Sequence, residues 1–273
     1  MNPDTNPNSP KKIGIALSGG GIRGVAHLGI LQALTEKGIR FSRMSGTSAG
    51  AIAAAFFSYG YSPKETLSII NEAHLFKQLR PSFGATGLVS ILRVEAVLRE
   101  FFPENSFSKL KIPITVTAVD LGEGKIVYFN EGDLCTCLLA SCCLPGIFRP
   151  IIIHDHMYVD GGVLNNFPVE PLIGECDLII GSSCNHLSAV TEIGSFMQMF
   201  DRAAMLAINS NTERHKAMCD AVIEPHGLGN YSIFDTKFAE EIYWLGYEEG
   251  LKALNSNSVL QGLLPSIQKP KED

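Results

Sequence analysis

The sequence predicts a single α/β domain, on three observations: 273 residues of ordinary globular composition, a β-α-β-α pattern over residues 12–59, and glycine-rich turns after the first two strands. Lys12 to Leu17 reads as a short strand leading into Ser18-Gly19-Gly20-Gly21. A helical repeat through Val25, Leu28, Leu31 and Leu34 follows and stops at Gly38. Ile39 to Met44 is a second strand, running into Gly46-Thr47-Ser48-Ala49-Gly50 and an alanine-rich helix to about Tyr59. Ser62-Pro63-Lys64-Glu65 combines an N-cap, a first-turn proline and an acidic first turn, so a helix should run to about Phe76.

Leu79 to Gly87 is loop-like, and Ser90 to Phe102 has helical spacing. Ile112 to Asp120 and Lys125 to Phe129 read as strands joined by a tight Gly122-Glu123-Gly124 turn, and a short helix is expected over Leu134 to Ser141. Ile151 to Ile153 and Met157 to Val159 form a hairpin around His154-Asp155-His156, whose second strand delivers Asp160 into Gly161-Gly162. Leu178 to Gly181 is a buried strand. Helices are expected over Ile193 to Asn211 and Thr236 to Leu254, with a strand at Ala221 to Glu224 between them. No repeat or linker divides the chain. The expected organisation is a tail over residues 1–11, one domain over 12–255 and a C-terminal tail over 256–273.

A net charge of −6 and a pI near 5.7 exclude a typical nucleic-acid binder and electrostatic capture by anionic lipid, so any transient contact with a membrane surface should be apolar. Seven cysteines without paired C-x-x-C spacing read as buried thiols of a reducing compartment. The N-terminus lacks the apolar stretch of a leader peptide, and the longest strongly apolar run, Ala49 to Phe57, is too short to span a bilayer. These features point to a cytoplasmic protein, with any membrane contact peripheral and at the inner surface.

Gly46-Thr47-Ser48-Ala49-Gly50 matches G-x-S-x-G between a strand and a helix, the context of a nucleophile elbow. There the small neighbours permit a crowded turn, and the helix N-terminus favours developing negative charge. Gly19-Gly20-Gly21-Ile22-Arg23-Gly24 matches G-x-G-x-x-G, but no Asp or Glu lies between Glu36 and Glu65 to hold a ribose. A phosphate loop also fails, since Val25 and Ala26 stand where Lys and Ser or Thr are needed. An oxyanion hole of glycine N–H groups is the surviving functional reading, against an ordinary tight turn.

A serine nucleophile generally takes a histidine base. Of seven histidines, His186 and His226 follow Asp160 in triad order, while His154 and His156 could be surface residues or half a metal site. Asp160 before Gly161-Gly162 is either a turn former or a base for Ser48.

In this order, Gly-Gly-Gly-x-Arg-Gly, Gly-Thr-Ser-Ala-Gly and Asp-Gly-Gly make the sequence resemble a bacterial member of the patatin-like phospholipase family. Further similar stretches are residues 140–148 (Ala-Ser-Cys-Cys-Leu-Pro-Gly-Ile-Phe), 158–162 (Tyr-Val-Asp-Gly-Gly) and 166–169 (Asn-Phe-Pro-Val), so the resemblance spans Lys12 to Leu254. It implies a three-layer α/β/α sandwich with a central, mostly parallel sheet. Ser48 would be the nucleophile, Asp160 the proton acceptor, and the loop Gly19, Gly20, Gly21, Arg23 and Gly24 the oxyanion hole.

The implied activity is hydrolysis of a lipid or other fatty acyl ester without metal or cofactor. Acyl transfer or thioester cleavage on the same dyad, or a non-catalytic regulatory protein keeping the fold, are the alternatives. Cys142-Cys143 stands where small residues are usual, which should alter the pocket lining.

Overall fold

The computed structural model describes residues 11–73, 92–187, 189–190, 192–210, 212–234 and 236–265. The expected loop at Leu79–Gly87 and the N-terminal tail up to residue 10 lie outside them. Eight strands form one sheet: β1 (Ile13–Leu17), β2 (Arg43–Thr47), β3 (Ile114–Asp120), β4 (Lys125–Phe129), β5 (Ile151–Ile153), β6 (His156–Asp160), β7 (Leu178–Ser182) and β8 (Ala221–Ile223). The helices are α1 (Val25–Glu36), α2 (Ala49–Tyr59), α3 (Pro63–Glu72), α4 (Leu92–Phe101), α5 (Leu134–Ser141), α6 (Phe196–Asn209), α7 (Thr212–Lys216), α8 (Ala239–Ser256) and α9 (Ser258–Gln261).

The order β3-β2-β1-β7-β8 is parallel throughout, and β4, β6 and β5 extend it antiparallel. The mixed central sheet with helices around it agrees with the expected three-layer arrangement. Alternation along β1 builds the two sides: Ile15 and Leu17 join the main core with α1, α2 and α8, whereas Ala16 joins Phe167, Val169, Leu172 and Ile179 on the opposite face. Because the chain leaves β1 for β2 on one side and β7 lies on the other, the carboxyl end of β1 is a topological switch point, where α/β sheets hold ligands.

The register of β3 brings the two chemical motifs together. Residues 116–117 pair with both β2 and β4, and residues 118–120 with both β4 and β6, so β2 and β6 must share one edge of β3 in succession. Thr47 pairs with Thr117 and Asp160 with Ala118. The residue after Thr47 and the residue ending β6 therefore meet at adjacent rungs, although 112 positions separate them in the chain.

Most expected elements are present, with shifts that have local causes. The second strand occupies Arg43–Thr47 rather than Ile39–Met44 because Ile39 serves α1 instead: its N–H bonds the Leu34 carbonyl at 3.1 Å and the Gly38 N–H bonds Thr35 at 3.0 Å, a Schellman cap. The capping box of α3 forms as read, with Ser62 accepting from the Glu65 N–H and Glu65 accepting from the Ser62 N–H. That helix is described over Pro63–Glu72, and the rest of the stretch expected to reach Phe76 lies outside the described residues from His74 on. Beyond Ser256, α9 buries Leu260 in the core, so packed chain continues past the boundary expected at 255.

Candidate functional site

Ser48 sits between β2 and α2 with φ 53° and ψ −121°, outside the regions an L-residue prefers. The turn is tight enough that a Cβ on Gly46 would lie 2.6 Å from the Gly50–Ala51 backbone, and one on Gly50 would strike the Leu17 carbonyl of β1. Side chains at either position would push the elbow off the sheet. The strained turn is held from behind: the Ser48 N–H donates to Ser141 Oγ at 2.8 Å, and the Ser141 hydroxyl donates to the Thr117 carbonyl at 2.6 Å. Thr47 Oγ1 donates to the Asn165 carbonyl at 2.9 Å, fixing the strand end. Ala49, buried, opens α2 against Gly24.

Asp160 ends β6, buried in the protein. Its carboxylate accepts the Gly162 N–H at 2.8 Å. Burial raises its pKa from 3.8 to about 6, and the Gly162 N–H and the nearby Ser48 hydroxyl oppose the rise without cancelling it. Gly161 packs against the Thr117 carbonyl, so a side chain there would lift Asp160 from β3. Ser48 and Asp160 line one pocket together with Gly20, Gly21, Leu144, Met205 and Ile208.

The glycine loop divides by role. Gly19 gives its N–H to the Asn166 carbonyl at 2.9 Å, so that amide is spent on structure. Its carbonyl accepts from Asn185 Nδ2 at 2.5 Å and Asn166 Nδ2 at 3.3 Å. In a trans peptide the carbonyl of one residue and the N–H of the next point in opposite directions, and the described chain has no cis bond. Holding the Gly19 carbonyl therefore sets the direction of the Gly20 N–H. The Gly20 carbonyl is held in turn by the Arg23 N–H at 3.2 Å. Gly21, at φ 57°, faces Ile233, where a side chain would collide with the Ile233 carbonyl.

Arg23 is buried and donates from Nε to the Tyr231 carbonyl at 2.6 Å, which ties the loop to the segment before α8. Of the five loop residues expected to form one anion-binding turn, Gly20 and Gly21 border the pocket. Gly19, Arg23 and Gly24 hold and pack the turn.

Three residues that sequence reasoning missed complete the arrangement. Asn166 lies in the family-like stretch 166–169 but carries no role there, and Asn185 and His27 belong to no motif. His27 is fully buried, with Nε2–H donating to the Ser18 carbonyl at 2.8 Å and Nδ1 accepting from Ser182 Oγ at 2.7 Å. Burial lowers its pKa to about 4, which keeps it neutral and in this tautomer. A histidine inside an apolar helix with serines after β1 and β7 was the available signal.

The other described histidines lie elsewhere. His186 and His226 meet edge to face with ring centroids 4.2 Å apart beside a neighbouring cleft, with Glu224 3.7 Å from His186, and no histidine lines the Ser48 pocket among the described residues. His154 and Asp155 form the positive-φ turn of the β5–β6 hairpin, and His156 hydrogen-bonds Asp120 at 2.6 Å. Donor atoms of Asp120, Glu123 and His156 fall within 4.8 Å of one another, yet Asp120 already accepts the Gly122 and Glu123 N–H groups and Glu123 pairs with Lys125 at 3.0 Å. These contacts account for the cluster as hydrogen bonding within the turn.

The cysteines are unpaired thiols, five of them buried. The Cys142 thiol has its pKa pushed well up by burial, while Cys143 donates to the Arg149 carbonyl at 2.8 Å.

Residues 15–173 match the sequence model of the family described as patatin-like phospholipase. An NTE family protein of Mycobacterium tuberculosis is 31% identical over 181 residues, covering 65% of this chain and 50% of its own. The chain thus spans about half the length of such curated relatives. The lysophospholipase NTE1 of Kluyveromyces lactis is 23% identical over 303 residues, covering 97% of this chain and 21% of its own. Among solved structures, VipD from Legionella pneumophila aligns over 91% of this chain and 67% of its own, with a TM-score of 0.52 at 16% identity. That likeness concerns the fold.

Proposed function

Because the chain belongs to the patatin-like phospholipase family, we propose that it is a serine lipid acyl hydrolase working through Ser48 and Asp160. The observation that carries this reading is the Ser48 hydroxyl, raised on a positive-φ turn into the same pocket as a buried carboxylate whose pKa is raised to about 6. An ordinary aspartate is too weak a base for a hydroxyl; one near 6 remains ionised at neutral pH and holds a proton more firmly once it has one.

In the proposed reaction Ser48 Oγ attacks the acyl carbonyl as Asp160 takes its proton. The negative charge forming on the carbonyl oxygen meets the Gly20 and Gly21 N–H groups, in a pocket whose apolar wall of Leu144, Met205, Ile208 and Ile233 strengthens that interaction and suits a fatty acyl chain. Protonated Asp160 then gives its proton to the departing alcohol, leaving an acyl ester on Ser48. Water, deprotonated by Asp160, attacks that ester and frees the fatty acid.

The test is hydrolysis of short- and long-chain p-nitrophenyl esters and a phospholipid panel in the presence of chelator. Ser48→Ala and Asp160→Asn should each abolish turnover, and His186→Ala should keep it. Loss of activity in the His186 variant, or a requirement for metal, would overturn the dyad reading.

A further inference from the structure

The helix that walls the proposed catalytic pocket carries a second apolar surface that points into water. Met205 and Ile208 of α6 line the Ser48 pocket. On another side of the same helix, Phe196, Met199 and Leu206 are exposed by 74%, 51% and 51%. Their spacing of three and seven residues sets them in one stripe. Val190 and Ile193, just before the helix, are also exposed and continue the stripe to the rim of a cleft of about 200 Å³. Met205 lines both this cleft and the Ser48 pocket, so the exposed face, the cleft and the pocket adjoin one another through α6, with Arg23, His186, Glu192, Gln198 and Arg202 also lining the cleft.

Exposed apolar surface grouped in this way marks an interaction site, and the local charge narrows the occupant. Across residues 187–209 the charged side chains in the sequence are Glu192, Asp201 and Arg202, with no lysine and a net charge of −1. A face of that composition offers an anionic partner no electrostatic attraction and suits an uncharged or zwitterionic one. We propose that Val190, Ile193, Phe196, Met199 and Leu206 form the face on which the protein seats itself on a neutral or zwitterionic lipid surface. The choice of lipid over another apolar partner rests on the hydrolase reading: substrate acyl chains sit inside an aggregate, and a face on the helix that also walls the pocket would bring the lipid surface next to Ser48.

The experiment separates seating from turnover by using the chain with Ser48→Ala. Flotation with phosphatidylcholine vesicles should show binding, unchanged when salt is raised to about 0.5 M and no stronger with anionic vesicles. Adding Phe196→Ser and Met199→Ser should lower the bound fraction about tenfold or more, while the same pair in the active chain leaves hydrolysis of a soluble short-chain ester unaltered. Phe196→Trp supplies a variant with little folding risk, whose emission should shift to the blue on adding vesicles and be quenched by bromine-labelled lipid. Absence of vesicle binding, or binding indifferent to both changes, overturns the proposal. A dimer in sedimentation that the serine pair converts to monomer assigns the face to a second copy and also overturns it. Absence of soluble-ester hydrolysis in the unaltered chain counts against the hydrolase reading alone, since flotation is scored without turnover.

Discussion

Asn185 donates from Nδ2 to the carbonyl of Gly19 at 2.5 Å, and in doing so it orients the amide of Gly20 at the edge of the pocket that it helps to line. Asn185 is buried at the carboxyl side of β7, and its own carbonyl is held by Asn209 of α6 at 2.6 Å. The glycine turn is thereby fixed from the neighbouring strand. Asn185→Ala should lower kcat about tenfold to a hundredfold with KM nearly unchanged, because the loss falls on charge present only in the transition state. Asn185→Asp, which keeps the size and removes the donor, should behave alike. Steady-state kinetics on a soluble ester, with melting curves to show the fold retained, decide it; a rise in KM alone would point to a lining role.

Asp160 sets an expected acid limb. Only its ionised form can accept the Ser48 proton, so kcat/KM should rise with pH through about 6 and level off above it. A limb near 4 would mean that burial does not raise the group.

The same burial has a stability consequence of definite sign. With its folded pKa above the unfolded value of 3.8, Asp160 costs the folded state nothing below that pH, and progressively more up to about 6. Asp160→Asn retains an acceptor for the Gly162 N–H and should stabilise the fold above pH 6, by at most about 3 kcal/mol. Denaturant unfolding at pH 7.5 and pH 4, conditions of about neutral and acid range, should show the gain shrinking at the lower pH.

His27 runs the opposite way. Its folded pKa of about 4 lies below 6.5, so the unfolded chain binds the extra proton, and stability is lost as pH falls from 6.5 towards 4. In the Asp160→Asn chain, where the opposing carboxylate is gone, unfolding free energy should drop across that window by up to about 3 kcal/mol. Adding His27→Gln should flatten the dependence. A slope that persists in the double variant would assign it to another group.

How much of this could be read before the structure differs by level. The β-α-β-α start, the capping box at Ser62 and the hairpin before Asp160 are local: caps, turn residues and apolar period specify them within a few positions. The second strand was misplaced because Ile39 satisfies two local roles, strand former and partner of a helix cap, and the choice depends on pairing with β1. Ser48 and Asp160 each lie in a motif, but their meeting depends on β2 and β6 following one another along β3, a relationship between residues 112 apart. Asn185, His27 and Ser141 were invisible for a similar reason. Each acts through a hydrogen bond to a strand or turn distant in sequence, and a lone Asn, His or Ser has many local explanations.

Ser141 gives the sharpest test of such a long-range support. It receives the Ser48 N–H at 2.8 Å and passes its own proton to the Thr117 carbonyl at 2.6 Å, so the strained nucleophile is tied through one buried hydroxyl to the strand that also carries Asp160's partner, Ala118. Ser141→Ala leaves a buried N–H without its acceptor, a change that costs about 1–3 kcal/mol. The elbow can recover part of that by relaxing its positive φ, which would move Oγ away from Asp160. Stability should therefore fall modestly while kcat falls more than the stability loss explains. Ser141→Cys, with a weaker acceptor of similar shape, should sit between. Turnover measured well below the melting temperature separates the two effects; kcat unchanged in both variants would show that the strained turn is held by the Gly46 and Gly50 contacts alone.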